Sequence, residues 1–258
     1  MPILRGMRLP QKCLISIAGL CAVAAPAQAA TPAKATAPTS SSASLAMTPT
    51  SSWIATPARE PLMARSEPRG GHVAMVLWKN LYTNAPTPTS LLVLGSETGP
   101  SGRVWVKMLL PKRPNGSVGW VPADQLVLRR TSWRVEISTA KRSGLVFHHG
   151  HVVKRFPVVV GASSTPTPRG LTAVQDRRKQ ANPNGFYGPW ILALDARSNA
   201  YQEFLGGPGT IAIHGAGAGN PLGVAISHGC IRVSPALDAW LGPRLAPGTP
   251  IAIDVPST

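Results

Sequence analysis

The residues best suited to chemistry lie near the C-terminal end. Ser227-His228-Gly229-Cys230-Ile231-Arg232 sets a thiol in a short turn-forming stretch, and His214-Gly215 lies upstream, sixteen positions before Cys230. Thiol and imidazole make a nucleophile and its base. The thiolate is the species that attacks a carbonyl carbon, and a thiol of ordinary pKa near 8.5 is only a few per cent ionised at neutral pH. An imidazolium neighbour lowers that pKa, and full ionisation multiplies the reactive species roughly thirtyfold. The expectation is a Cys230 thiolate poised by His214. Arg232 stands two residues past Cys230 and in an extended segment points to the same side. There it favours the thiolate or holds a carboxylate; an ordinary structural ion pair is the other reading. Gly229 has no side chain, so a bound carbonyl can approach backbone N–H donors near Cys230, an oxyanion hole in outline. Ser227, His228 and Gly215 are grouped with it as support for the motif. His228 reads as holding the loop by hydrogen bonds in preference to acting as base.

Strand ends must bring these groups together. The run IAI precedes His214 and VAI precedes Ser227, each an apolar β-like segment, with a Gly-rich loop between them. The region from Arg130 onward is β-rich (WRVEIST, GLVFHHG, HVVKRFPVVVG, PWILAL, TPIAIDV), with turn chemistry at Gly150 for a hairpin. One helix is expected, from Ser234 to Leu241: Ser234 is the N-cap, Pro235 the first helical position and Asp238 an acid in the first turn. Phe186, Tyr187 and Trp190 lie in NPNGFYGPW, a loop by its Gly and Pro content; Tyr187 is the candidate for substrate contact.

Competing chemistry is weak. A catalytic zinc site needs three protein ligands, and no Asp or Glu lies between His214 and Cys230, so neither a metal nor a cofactor is expected. His148, His149 and His151 read as a turn face. Gly215-Ala216-Gly217-Ala218-Gly219 lacks phosphate-loop spacing and reads as a flexible loop.

The remaining sequence sets the context. Arg5, Arg8 and Lys12, the apolar run Cys13–Ala25 and Ala27-Gln28-Ala29 fit a signal peptide over 1–29; the apolar run is short of the ~20 residues needed to span a bilayer, and no transmembrane span is expected after cleavage. Removal takes Cys13 and Cys21, leaving Cys230 as the single cysteine, a lone thiol in an oxidising compartment and hence a candidate reactive group. Without the three signal cations the net charge of +16 falls to +13. The charge is spread along the chain, which argues against a nucleic-acid stripe and for affinity to anionic cell-wall polymers. Residues 30–70 are rich in Ala, Pro, Ser and Thr and read as a disordered linker. From 71 to 130 short alternating segments separated by turns predict a small β-barrel. Its block WVKMLLPKRPNGSVGWVPADQLVL is similar to a bacterial SH3-like module, with a tight hairpin at Asn115-Gly116. That module reads as leaning on its neighbour, dispensable for the chemistry at Cys230 and concerned with attachment outside the cell.

His214, the loop after it, and Ser227-His228-Gly229-Cys230-Ile231-Arg232 together resemble the L,D-transpeptidase catalytic domain of YkuD type. The resemblance runs from about Ser132 to Ile253 and includes Thr167-Pro168-Arg169-Gly170. It implies a β-sandwich catalytic domain over 131–256, with the Cys and His in a cleft under a mobile lid, and a mainly β chain. It also implies a reaction on peptidoglycan stem peptides: Cys230 attacks before the terminal D-alanine of a tetrapeptide, and the resulting thioester passes to an amine of a neighbouring stem. Water as acceptor, giving an L,D-carboxypeptidase, and a non-catalytic wall-binding protein are the alternatives. Many members carry Ser after the first His where this chain has Gly215, which leaves a backbone carbonyl to orient His214.

Overall fold

The computed structural model describes residues 45–78, 88–217 and 221–256, all within the second of the two units, Ala35–Thr258, into which contacts divide the chain. The signal peptide expected over 1–29 and the first part of the expected linker lie outside the described residues.

The later part of that linker is not disordered. Ser52–Pro57 forms β1 and Leu62–Glu67 forms β2. Composition hid them, but Ala55, Leu62 and Ala64 are buried in one core and Ile54 is buried on the other face of β1, apolar burial that helps offset chain ordering. With β3 (Gly70–Leu77), β4 (Leu91–Thr98), β5 (Val104–Leu109), β6 (Val118–Pro122) and β7 (Leu126–Thr131) they make a seven-stranded antiparallel sheet, in the order β3-β2-β6-β5-β4-β1-β7. Alternation is the cause: in β2 Leu62 and Ala64 face the core while Met63 is exposed. The β5–β6 hairpin exists, with Leu109 opposite Val118. Its connection is the whole segment 110–117 instead of a two-residue turn at Asn115-Gly116, and Gly116 takes φ +81° within it.

The chain crosses at Ser132 into a second sheet. β8 (Trp133–Ser138), β9 (Ser143–His148) and β10 (His151–Pro157) form a meander. Its second turn is the expected hairpin, His149 and Gly150 both having positive φ (50° and 83°). His148 stacks on Trp133 with ring centroids 3.9 Å apart, so the histidine cluster there is a packed turn. The short β11 (Val160–Gly161) pairs with β15 (Ala225–Ser227). β12 (Gly170–Lys179), β13 (Trp190–Arg197), β14 (Thr210–Gly215), β16 (Ile231–Val233) and β17 (Pro250–Ile253) complete an eight-stranded sheet ordered β10-β9-β8-β17-β12-β13-β14-β16. The helix α1 spans Pro235–Leu241, and Ser234 Oγ accepts the Leu237 N–H at 3.2 Å, the expected cap. No helix among the described residues is long and apolar enough to cross a membrane.

The two sheets share packing. Leu92 and Leu109 of the first bury against Ala173 of β12, with Leu94 and Leu171 beside them. Arg129 donates to the Pro247 carbonyl at 2.9 Å, and Arg134 to that of Pro49. A Cβ on Gly248 would stand 2.5 Å from Ile54, which shows how closely the two parts approach.

Candidate active site

Period-two geometry delivers the reactive groups to one face. In β14, Ile211 and Ile213 enter the core, so Ala212 and His214 face the other way. In β16, Ile231 and Val233 enter the same core, which turns Arg232 and, just before the strand, Cys230 outward. The strands are parallel neighbours with His214 in register with Arg232. The outcome is a groove of about 540 Å³ lined by His214, Cys230, Arg232, His228, Phe186 and Tyr187.

The turn that presents Cys230 is held from within and from behind. Ser227 Oγ donates to the Cys230 carbonyl at 2.6 Å and accepts the Gly229 N–H at 3.1 Å. Thr165 donates to the Ser227 carbonyl and Thr167 to the Gly229 carbonyl, both at 2.8 Å, while Thr167 Oγ1 accepts the Gly161 N–H. Gly229 has φ +116°, and a Cβ there would meet Ile211 Cδ1 at 2.9 Å, so both backbone and space demand glycine. Because its N–H already serves Ser227, Gly229 supports the turn and does not offer that donor to a bound carbonyl. The loop-holding work expected of His228 falls to Ser227, Thr165 and Thr167. His228 is exposed, with its ring 5.5 Å from that of Phe204 and 6.0 Å from that of Tyr201. Sequence reading missed Thr165 and gave Thr167 no role beyond its place in Thr167-Pro168-Arg169-Gly170; the signal was the TPTPRG segment itself, whose threonines have no apolar periodicity to explain them.

The electrostatics correct the expected poised thiolate. Burial of His214, only 2% exposed, pushes its pKa down to about 4; the Gly215 carbonyl works against this and Arg232 adds to it. Burial likewise raises the Cys230 pKa, although a hydrogen bond from the Ala212 backbone and the Arg232 charge pull the other way. Desolvation therefore outweighs the cation, and the resting pair is neutral thiol and neutral imidazole. His214 Nδ1 lies 2.8 Å from the Gly215 carbonyl, an acceptor only, so Nδ1 carries the proton and Nε2 is left as the base. This is the backbone orientation expected in the absence of a serine.

The part of the chain that carries this groove matches a known family. The family model for the L,D-transpeptidase catalytic domain, YkuD, matches residues 132–253. The Bacillus licheniformis protein named for L,D-transpeptidase YkuD is 30% identical over 132 residues, 48% of this chain and 72% of that one. The chain belongs to the YkuD family. The Bacillus subtilis (strain 168) protein of the same name is 26% identical over 137 residues, covering 51% of this chain and 75% of that one. Among solved structures, the Enterococcus faecium L,D-transpeptidase C442S mutant aligns at 20% identity and a TM-score of 0.37, covering 47% of this chain and 49% of that one, so the chain spans about half its length.

The Gly215 variant of the family motif has a local cause in this chain. The loop bearing Phe186 and Tyr187 lies directly on β14: the Gly215 N–H donates to the Tyr187 carbonyl at 2.9 Å. A Cβ on Gly215 would come within 2.8 Å of Gly188 Cα, and one on Gly188 within 2.7 Å of Gly215 Cα. Two glycines thus permit a backbone-on-backbone contact that brings the Tyr187 ring within 5.2 Å of His214. Beneath them Asp238 of α1 accepts the Trp190 N–H at 2.7 Å. Burial pushes its pKa up to about 7, against hydrogen bonds from Trp190 and Gly215. At the sequence level Asp238 served only as a helix N-terminal acid. Arg232 stacks its guanidinium 5.3 Å from the Phe186 ring, which places it in the groove and not in a remote ion pair. Gly215→Ser is expected to cost about 1–3 kcal/mol by overpacking, checked by urea denaturation, and to shift the Tyr187 loop in a crystal structure.

Proposed function

We propose that this chain is an exported peptidoglycan L,D-transpeptidase. The observation that carries the reading is the shared groove, into which Cys230 and His214 project from neighbouring strand ends. Cys230 attacks the carbonyl of the peptide bond before the terminal D-alanine of a tetrapeptide stem. As the S–C bond forms, His214 Nε2 takes the thiol proton and then delivers it to the leaving nitrogen, so D-alanine departs as the amine and a thioester remains. An amine of a neighbouring stem then attacks the thioester, gives its proton to His214, and releases the thiol. Arg232 holds a stem carboxylate, and Tyr187 closes one side of the groove. The seven-stranded sheet that contains the 71–130 region acts as an SH3-like module whose positive charge favours anionic wall polymers.

Intact-mass spectrometry of the protein after incubation with a tetrapeptide tests the reading. The expected result is an adduct of the tripeptide acyl mass with release of D-alanine, and a cross-linked product once an amine acceptor is added. Absence of both adduct and released D-alanine would overturn it. Release of free tripeptide alone, with acceptor present, would assign water as the acceptor.

A further inference from the structure

The connection between β13 and β14, residues 198–209, contributes Phe204, Leu205 and Gly207 to the wall of the groove. Phe204 and Leu205 line the groove together with Cys230. Leu205 is 80% exposed at the tip, where Phe204 and Gly207 exchange backbone hydrogen bonds of 2.9 and 3.0 Å. The tip is shaped by this turn and by the Phe204 ring, 5.5 Å from that of His228, and its height above Cys230 depends on how its base is held.

That base is held by the other sheet. Arg113, in the β5–β6 connection, donates to three backbone carbonyls of this segment: Ser198 at 3.0 Å, Tyr201 at 2.8 Å and Pro208 at 3.0 Å. Two residues on, Asn115 pairs with the end of β13 as a strand would, its Nδ2 donating to the Arg197 carbonyl and its Oδ1 accepting the Arg197 N–H, both at 2.8 Å. Arg197 returns a bond to the Pro111 carbonyl at 3.0 Å. A Cβ on Gly209 would stand 2.4 Å from the Tyr201 carbonyl and 3.1 Å from Arg113 Nη2, so the two legs of the segment converge on the guanidinium. A planar fork of donors bridging carbonyls on both legs sets their separation, which a single ammonium cannot do.

We infer that Arg113 and Asn115 are positioning residues for acyl transfer, by which the N-terminal sheet sets the 198–209 wall over Cys230. The inference rests on the groove being the stem-peptide site. It makes the N-terminal sheet part of the catalytic apparatus, in contrast to the dispensable module expected from the sequence.

The experiment uses the full chain as parent, Arg113→Ala, Arg113→Lys and, as a control elsewhere on the same interface, Arg129→Ala. Three quantities are read: amide hydrogen exchange in 198–209, the acylation rate with tetrapeptide, and the rate of Cys230 alkylation by iodoacetamide. For Arg113→Ala we expect exchange in 198–209 to accelerate at least about tenfold and acylation to fall about tenfold, chiefly through a raised KM. Alkylation, by a reagent too small to need the wall, stays within about twofold of the parent. Arg113→Lys falls between, and takes the place of Arg113→Ala should the latter not fold. Arg129→Ala leaves all three unchanged. Unchanged exchange or acylation in the Arg113 variants, or an equal loss in Arg129→Ala, would overturn the inference. If the parent itself takes no acyl group from the tetrapeptide, the transpeptidase reading fails, whereas the exchange data still decide whether Arg113 holds the wall.

Discussion

Replacing Cys230 by alanine is expected to abolish both the acyl adduct and product formation while leaving the thermal unfolding midpoint within a few degrees of the parent. Two features of the structure set this expectation. Cys230 is the one cysteine outside the expected signal segment, so no second thiol can take up the acyl group. The turn that presents it is fixed through its backbone carbonyl and its neighbours, by Ser227, Thr165 and Thr167, and those bonds do not involve the sulfur. Loss of a small, partly buried thiol therefore removes the nucleophile without dismantling its support. Intact-mass spectrometry and a thermal melt, run side by side, check both halves. Turnover near the parent level in the alanine variant would remove Cys230 from the mechanism.

Replacing His214 by alanine is expected to slow acylation by about 10² to 10⁴, the usual worth of a positioned general base. Because the resting thiol is neutral, attack without His214 must draw on the small thiolate fraction or lose its proton to water. The pH dependence separates this from a poised ion pair. A His214 pKa lowered to about 4 leaves the imidazole basic through the whole range from neutral pH down to about 4, and a raised Cys230 pKa keeps the thiol protonated over the same range. Acylation by tetrapeptide should therefore be nearly flat between pH 5 and 8. Iodoacetamide, which needs preformed thiolate, should label Cys230 slowly at neutral pH and faster only on the alkaline side, with a midpoint above that of an ordinary thiol near 8.5. Labelling that stays fast well below pH 8.5 would restore the poised thiolate. For stability the sign is equally definite. The folded state prefers neutral His214, so the stabilisation linked to it is lost as pH falls from about 6.5 towards 4.

Much of this was legible in the chain because it depended on local periodicity and on side-chain chemistry. The spacing from His214 to Cys230, the apolar runs before each, and the Ser234-Pro235 helix start all describe segments that behave the same way in any context that buries one face. Alternation in IAIHG already implies that His214 faces away from Ile211 and Ile213, as the sheet shows. The segment from Ser52 to Glu67 was misread for the converse reason. Its Ala, Pro, Ser and Thr content describes a chain with little to bury, and only pairing of β1 with β4 and β7, and of β2 with β3 and β6, lets Ala55 and Leu62 reach a core.

The sequence by itself determined which groups can react and that a family pattern joins them. Tertiary structure decided their ionisation and their enclosure. Burial is a property of the folded whole, and at this site its desolvation outweighs the Arg232 charge that the sequence places beside the thiol. The contact of Gly188 with Gly215 and the grip of Arg113 on carbonyls 85 to 95 positions away were likewise invisible in one dimension. Backbone carbonyls are the same at every residue, so a side chain that binds them leaves no partner to be read in the chain.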